Sequence, residues 1–342
     1  MSVIDFFVST NFIPHVITSN VEHDNVQKTL VHLQAAGKIT LTVLPVSKNS
    51  GIVDPEDVLK AIVPETRLIS IILANNETGA ITPIKRMVQR VQSEFNAHRS
   101  DRQKILIHSD TCQAIGKIMI DFTDLGIDYG SIAGHKFYGP RSGAVYVKSK
   151  APFAPLFHGG NQERGLRPGT ENTAMIVGLG KAAEVLIDTL ETEIPRITDL
   201  RDHLESHLRQ LFAQDPIFCE SVGPVKPLFF GVDLCNERLD VDKLTRLPNT
   251  CNVVFQGPPW FNSSRLLAIC PQLEATRGSA CHATNTGGPR GSRVLVKCGY
   301  SEELAATALR LSLGRLSTRQ EVETACKWIH SGVKRLVSEG SS

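Results

Sequence analysis

The feature that most constrains this chain is a series of short, unalternating apolar runs separated by helical patterns. The runs are HVITS (15–19), ITLTVLPV (39–46), RLISIILA (67–74), KILIHSD (104–110), YGSIAG (129–134) and GAVYVKS (143–149). Strands with side chains covered on both faces read this way, because neither face needs to be polar. Helical periodicity falls between them at 24–36, 55–62 and 83–98. Strand–helix alternation of this kind predicts an α/β fold, a mostly parallel, doubly wound sheet.

From about residue 170 the pattern becomes more helical. Residues 172–191 and 196–213 predict two consecutive helices, with Pro195 near the start of the second. FFGVDL (229–234), a short helix at 240–247, TCNVVFQG (250–257), LRLSLG (309–314) and a last helix at 318–337 predict a smaller α/β domain. The expected division is a large domain over 1–170 and a second region over 171–342, made of connecting helices and the small domain. A chain of 342 residues is long enough for this without disulfide staples.

Charge excludes some classes of function. Lys and Arg total 37 against 35 Asp and Glu, a net charge of +2, so neither a nucleic-acid nor a membrane footprint follows. The longest apolar run, Leu68 to Ala74 interrupted by Ser70, is too short to span a bilayer. The eight cysteines form no CxxC pair, and no Cys/His spacing resembles a zinc site. The start, MSVIDFFVSTNFIPHVITS, lacks the pattern of a signal or transit peptide. Reduced thiols in the cytosol are therefore expected.

In open parallel sheets ligands sit beyond the carboxyl ends of the strands. Polar residues gather at those ends: Glu22-His23, Asn75-Asn76-Glu77, Asp110 with Gln113, and His135-Lys136. Amide, carboxylate, imidazole and amine on one rim suit a pyridoxal phosphate site. Such a site needs a lysine for the aldehyde and an acid that keeps the pyridine nitrogen protonated, so that the ring draws off carbanion charge. Taken alone, each residue has a plainer reading. Lys136 could be a solvated turn charge, Asp110 the cap of the following helix, and Arg310 a surface arginine at a strand end.

The motifs taken together resemble a known family. VEHDNV (21–26), ANNETGAI (74–81), HSDTCQAIGK (108–117), GHKFYGP (134–140), GGNQERGLRPGTENT (159–173), RGSACHA (277–283) and LRLSLGR (309–315) follow in the order found in cysteine desulfurases and selenocysteine lyases. These are class V aminotransferase relatives of fold type I. GHKFYGPR, RPGTENT, ANNETG and LPNTCN (247–252) are more similar to the selenocysteine lyase branch, as is Asp24 after His23.

The resemblance implies that Lys136 carries pyridoxal 5'-phosphate and that Asp110 pairs with the pyridinium. Asn76 and Gln113 would orient the ring, His23 would stack on it, and His135 would contact the phosphate. Thr170 would reach the phosphate of a second subunit in a homodimer, and Arg310 would clamp the substrate carboxylate. Cys281 would attack or protonate the chalcogen of the substrate. The reaction implied is L-selenocysteine to L-alanine plus selenium, handed to a reductant or a selenium-accepting protein, with cysteine desulfuration as the alternative.

The family's Gly-Gly-Thr-Glu-Ser-Asn-Asn phosphate loop, which precedes the VEHDNV-like motif, does not occur in the sequence. Ala133 and Asn161 also replace a serine and a glycine common in relatives. The chain is accordingly expected to be an N-terminally shortened form with weakened cofactor retention. A catalytically inactive protomer that binds a full-length partner is a further expectation on that ground.

Overall fold

A computed structural model of the chain describes residues 12–219, 225–233, 246–257, 261–278 and 291–340. The chain divides into two units. The first comprises residues 1–46, 53–74 and 82–190, and the second comprises 47–52, 75–81 and 191–342.

Six strands build the first unit: β1 (His15–Ser19), β2 (Thr40–Leu44), β3 (Thr66–Ser70), β4 (Leu106–Asp110), β5 (Tyr129–Ala133) and β6 (Gly143–Val147). Their spatial order is β2-β1-β3-β4-β5-β6. The first five are parallel and β6 closes the edge antiparallel to β5. Every residue of β1 and β3 is buried, as their continuous apolar character requires. The chain winds one way from β1 to β2 and the other way from β3 onward, so the topological switch lies between β1 and β3.

Helices cover the sheet where their apolar faces dictate. In the Asp24–Ala35 helix, Leu30 and Leu33 are buried and pack with Val16, Ile39, Leu68 and Tyr129. The Ile84–Glu94 helix buries Ile84, Met87, Val88 and Val91, the i, i+3, i+4, i+7 stripe of one face. The Pro55–Lys60 helix starts with Asp54 accepting the Glu56 N–H and with proline at its first position.

In the second unit, β7 (Lys226–Phe229), β8 (Thr250–Gln256) and β9 (Leu309–Ser312) form an antiparallel sheet. Its core joins Leu200, Leu204, Leu208 and Phe212 to Val322, Cys326, Ile329 and Val333 of the Arg319–Gly340 helix. Arg246 is held there by both oxygens of the buried Glu205 carboxylate, at 2.7 and 2.9 Å.

Two expectations are corrected. The two helices predicted over 172–191 and 196–213 are one helix, Thr173–Gln214, with Pro195 inside it. An interior proline forfeits its own hydrogen bond to residue i−4 and its ring crowds that carbonyl. Arg196 compensates, bonding the Glu193 carboxylate and the carbonyls of Arg315 and Ser317. The strand expected over 229–234 instead ends at Phe229. Asp233 turns back so that its carboxylate accepts the Phe229 N–H at 2.8 Å, which makes Phe230–Asp233 a turn. The helix expected at 240–247 lies almost wholly outside the described residues.

Candidate active site

Strand geometry places the first functional group. Side chains alternate along β4, so Leu106, His108 and Asp110 share one face and Asp110 ends the strand. Its buried carboxylate accepts the Cys112 backbone N–H at 3.0 Å, which caps the turn that follows. Thr111 fastens that turn to β5 by donating to the Ser131 carbonyl at 2.6 Å. Burial pushes the Cys112 thiol pKa well up, the hydrogen-bonded Asp110 carboxylate pushes it further, and the Lys136 ammonium opposes both. Cys112 therefore sits among the charges of Asp110 and Lys136.

Lys136 follows β5 in the short helical turn Gly134–Phe137. His135 and Lys136 are exposed while Phe137 is buried, so the amine faces outward from an anchored turn. Tyr138 then takes a left-handed conformation, φ 67°, and the Gly139 N–H closes on the Gly134 carbonyl at 2.9 Å. Partial desolvation lowers the His135 pKa, and the neighbouring Lys136 and Arg141 lower it further.

His23 lies just beyond β1 and caps the Asp24–Ala35 helix, its Nδ1 accepting the Asn25 N–H at 3.3 Å. Beside it the buried Glu22 carboxylate accepts the Ser19 hydroxyl (2.5 Å) and the Ile72 N–H (2.9 Å). It thereby ties the end of β1 to the continuation of β3 across the topological switch. Gln113 occupies the turn after Asp110, and Thr170 lies on an exposed segment just before the Thr173–Gln214 helix. His23, Asp110, Gln113, His135, Lys136 and Thr170 all belong to the first unit.

Asn76 and Arg310 belong to the second. Asn75 shapes their loop by accepting the N–H groups of Glu77 (2.8 Å) and Thr78 (3.0 Å). Arg310 on β9 donates through Nη1 to the Asn76 carbonyl at 2.7 Å, and Asn252 on β8 donates to the Glu77 carbonyl at 3.1 Å. Burial works against the Arg310 charge and the nearby Glu77 carboxylate supports it. Cys281 lies outside the described residues.

The sequence reading missed two groups next to this rim. His108 lies between the hydroxyls of Ser70 (2.8 Å) and Ser131 (3.0 Å), on the face that carries Asp110. Burial takes its pKa down to about 4 against the pull of the Asp110 carboxylate. The second is Lys117, whose ammonium donates to the Lys136 backbone carbonyl. A titratable side chain within an apolar run is the signal that points to each.

A pyridoxal phosphate ring asks for an amine to meet its aldehyde and a carboxylate to face its nitrogen. The exposed Lys136 amine and the buried Asp110 carboxylate, both acting on the Cys112 thiol, fit that demand.

Comparison with known proteins gives the family. Human selenocysteine lyase is 42% identical over 94% of this chain and 69% of its own length. The Rickettsia africae protein named cysteine desulfurase IscS is 35% identical over 94% of this chain and 70% of its own. A solved NifS-like protein superposes with a TM-score of 0.78 at 28% identity, covering 97% of this chain and 78% of that one. Residues 13–217 match the family model described as aminotransferase class-V. The chain therefore belongs to the class V aminotransferase family, whose selenocysteine lyase and cysteine desulfurase members are pyridoxal phosphate enzymes of fold type I.

Proposed function

We propose that the chain is a pyridoxal phosphate-dependent lyase that breaks the carbon–selenium bond of L-selenocysteine. The observation that carries this is the placement of the buried Asp110 carboxylate at the end of β4 and of the exposed Lys136 in the turn after β5, the neighbouring parallel strand. The higher identity to selenocysteine lyase than to cysteine desulfurase supports selenium over sulfur.

The bound cofactor supplies an electron sink for negative charge at the substrate α-carbon. Lys136 would hold the cofactor and would move a proton at the substrate α-carbon with Nζ. The Asp110 carboxylate would keep the pyridine nitrogen protonated. Asn76 and Gln113 would hydrogen-bond the ring hydroxyl, His23 would stack on the ring, and His135 would contact the phosphate. Arg310 takes the substrate carboxylate, with Nη1 already fixed on Asn76 so that the planar fork is oriented in advance. Cys281 meets the chalcogen as nucleophile or as acid.

The step balances as selenocysteine giving alanine and elemental selenium. The Cβ–Se bond breaks, a Cβ–H bond forms, and the hydrogen lost from selenium is the one gained by carbon. A thiol reductant adds two electrons and two protons to release selenide, and a selenium-accepting protein is the expected recipient.

A homodimer in the cytosol is the proposed setting. Exposed apolar side chains at Phe157, Ile176 and Val177 flank the Thr170 segment and support a covered face there. The described Cys112, Cys251, Cys270 and Cys326 form no disulfide. Among the described residues no helix is long and apolar enough to cross a membrane.

The test is absorbance followed by competition. Purified chain mixed with pyridoxal phosphate should gain a visible band that Lys136→Ala abolishes. Alanine should then form faster from selenocysteine than from cysteine when the two compete. Absence of the band from folded protein refutes the cofactor assignment, and faster turnover of cysteine transfers the chain to the desulfurases.

A further inference from the structure

Lys117 stands alone as a charge in the segment Ala-Ile-Gly-Lys-Ile-Met-Ile, 114–120. Its Nζ lies 3.5 Å from the Ile115 carbonyl and donates in a short contact to the backbone carbonyl of Lys136. Among the described residues no carboxylate pairs with it. A half-buried ammonium without a counter-charge carries a desolvation cost, and folding alone gives no reason to keep it next to a second lysine. Burial, followed by the charge of Lys136, lowers its pKa to about 8.

An independent contact lies one residue away. Gly116 has φ +76°, and a methyl group there would come within 2.7 Å of the Phe137 Cβ. Gly116 and Lys117 thus engage the consecutive residues Phe137 and Lys136. The turn that begins at Asp110 is locked onto the turn that carries the amine. Among the described residues, the charged and titratable groups around Lys136 include Lys117 on that turn, Cys112 with Asp110 behind it, and His135 with Arg141 on its own segment.

We propose that Lys117 is a positioning residue for Lys136: its ammonium grips the Lys136 carbonyl and sets where the Lys136 amine meets the cofactor aldehyde. This rests on the assignment of Lys136 as the cofactor lysine. An ammonium donor holds a carbonyl more firmly than a neutral amine does. The grip therefore relaxes as Lys117 loses its proton, within the pH range where the protein can be studied.

The full chain, freed of cofactor, is exposed to pyridoxal phosphate and quenched with borohydride at intervals. Mass spectrometry of the Lys136 peptide then gives the rate of capture at pH 6.5–9.5. The wild type should capture at Lys136 with a break in the profile near pH 8. Lys117→Met should slow capture by about tenfold or more, since a misplacement of about 1 Å costs up to about a hundredfold, and should lose that break. Lys117→Arg, charged throughout, should stay within about threefold of the wild type and also show no break. Capture by Lys117→Met at the wild-type rate, or with the break retained, overturns the proposal. So does slow capture by both variants with a shared loss of melting temperature, which makes Lys117 a packing residue. Failure of the wild type to capture at Lys136 overturns the cofactor assignment and this inference together.

Discussion

Replacing Gly116 by alanine separates the role of the two locked turns from ordinary backbone strain. The control is Gly37, which follows the Asp24–Ala35 helix at φ +67° and has open space where a methyl group would go. Gly37→Ala meets only the left-handed backbone penalty, about 1–2 kcal/mol. Gly116→Ala meets the same penalty at φ +76° and a methyl group 2.7 Å from the Phe137 Cβ, with Leu186 methyls at 3.2 and 3.3 Å. A Cβ cannot swing aside as a side-chain tip can, so relief requires the Phe137 backbone to move. Overpacking of this kind costs a further 1–3 kcal/mol or so, giving about 2–5 kcal/mol in all. Hydrogen exchange read on first-unit peptides in a urea series reports this loss without interference from the second unit. Because Lys136 is bonded to Phe137, Gly116→Ala should also weaken pyridoxal phosphate binding by about tenfold or more, whereas Gly37→Ala should leave it unchanged. Equal loss of stability in the two variants, or wild-type cofactor affinity in Gly116→Ala, would refute the packing account of the Lys136 turn.

His108 and Glu205 give two further tests. The unfolded imidazole protonates near its ordinary pKa and the folded one only at about 4, so the unfolded chain binds more protons between those values. The stability that His108 confers is whole above about pH 6.5 and is lost as pH falls towards 4, amounting to about 3 kcal/mol. Melting temperatures from pH 7.5 to 4.5 should show this acid limb flattened in His108→Gln, and an unchanged slope defeats the assignment. In the second unit, Glu205→Ala leaves the part-buried Arg246 guanidinium without its buried carboxylate and should cost up to about 3–5 kcal/mol. Urea unfolding followed by Trp328 fluorescence reports that change, and a loss no larger than that of an exposed ion pair excludes the buried pairing.

Much of the first unit is legible in the sequence because its strands are short, local and apolar on both faces. All six predicted runs overlap observed strands, although β3 covers Thr66–Ser70 and leaves 71–74 outside it, and polar residues follow their ends. What was not legible depends on partners distant along the chain. Pro195 is helical because Arg196 reaches carbonyls at 315 and 317. FFGVDL breaks because Asp233 folds back on Phe229, a turn that the apolar run conceals. His108 passes for a strand residue until its serines, 38 and 23 positions away, are in place. Lys117 is one more isolated lysine until β5 brings the Lys136 carbonyl to it.

The same polar contacts solve a problem that a two-sided apolar sheet creates. A strand with one polar face is held in register because a one-residue slip would send its apolar set into water. β3 and β4 lack that protection, since both of their faces are largely covered. A slip of β4 by one residue would turn Asp110 to the opposite face while costing little in apolar burial. The hydroxyl–imidazole–hydroxyl stripe from Ser70 through His108 to Ser131 forbids it, with Ser70 and His108 in direct register. Slipping would strand the imidazole and both serines, at about 1–3 kcal/mol for each unsatisfied group. Thr111 on the Ser131 carbonyl adds a second lock immediately after Asp110. Asp110 pairs in register with Ser131, and Lys136 follows Ser131 by five residues, so the lock that fixes the strand also fixes the carboxylate relative to the amine. His108 and Lys117 then act at opposite ends of one chain of contacts, the first setting where Asp110 stands and the second where Lys136 stands.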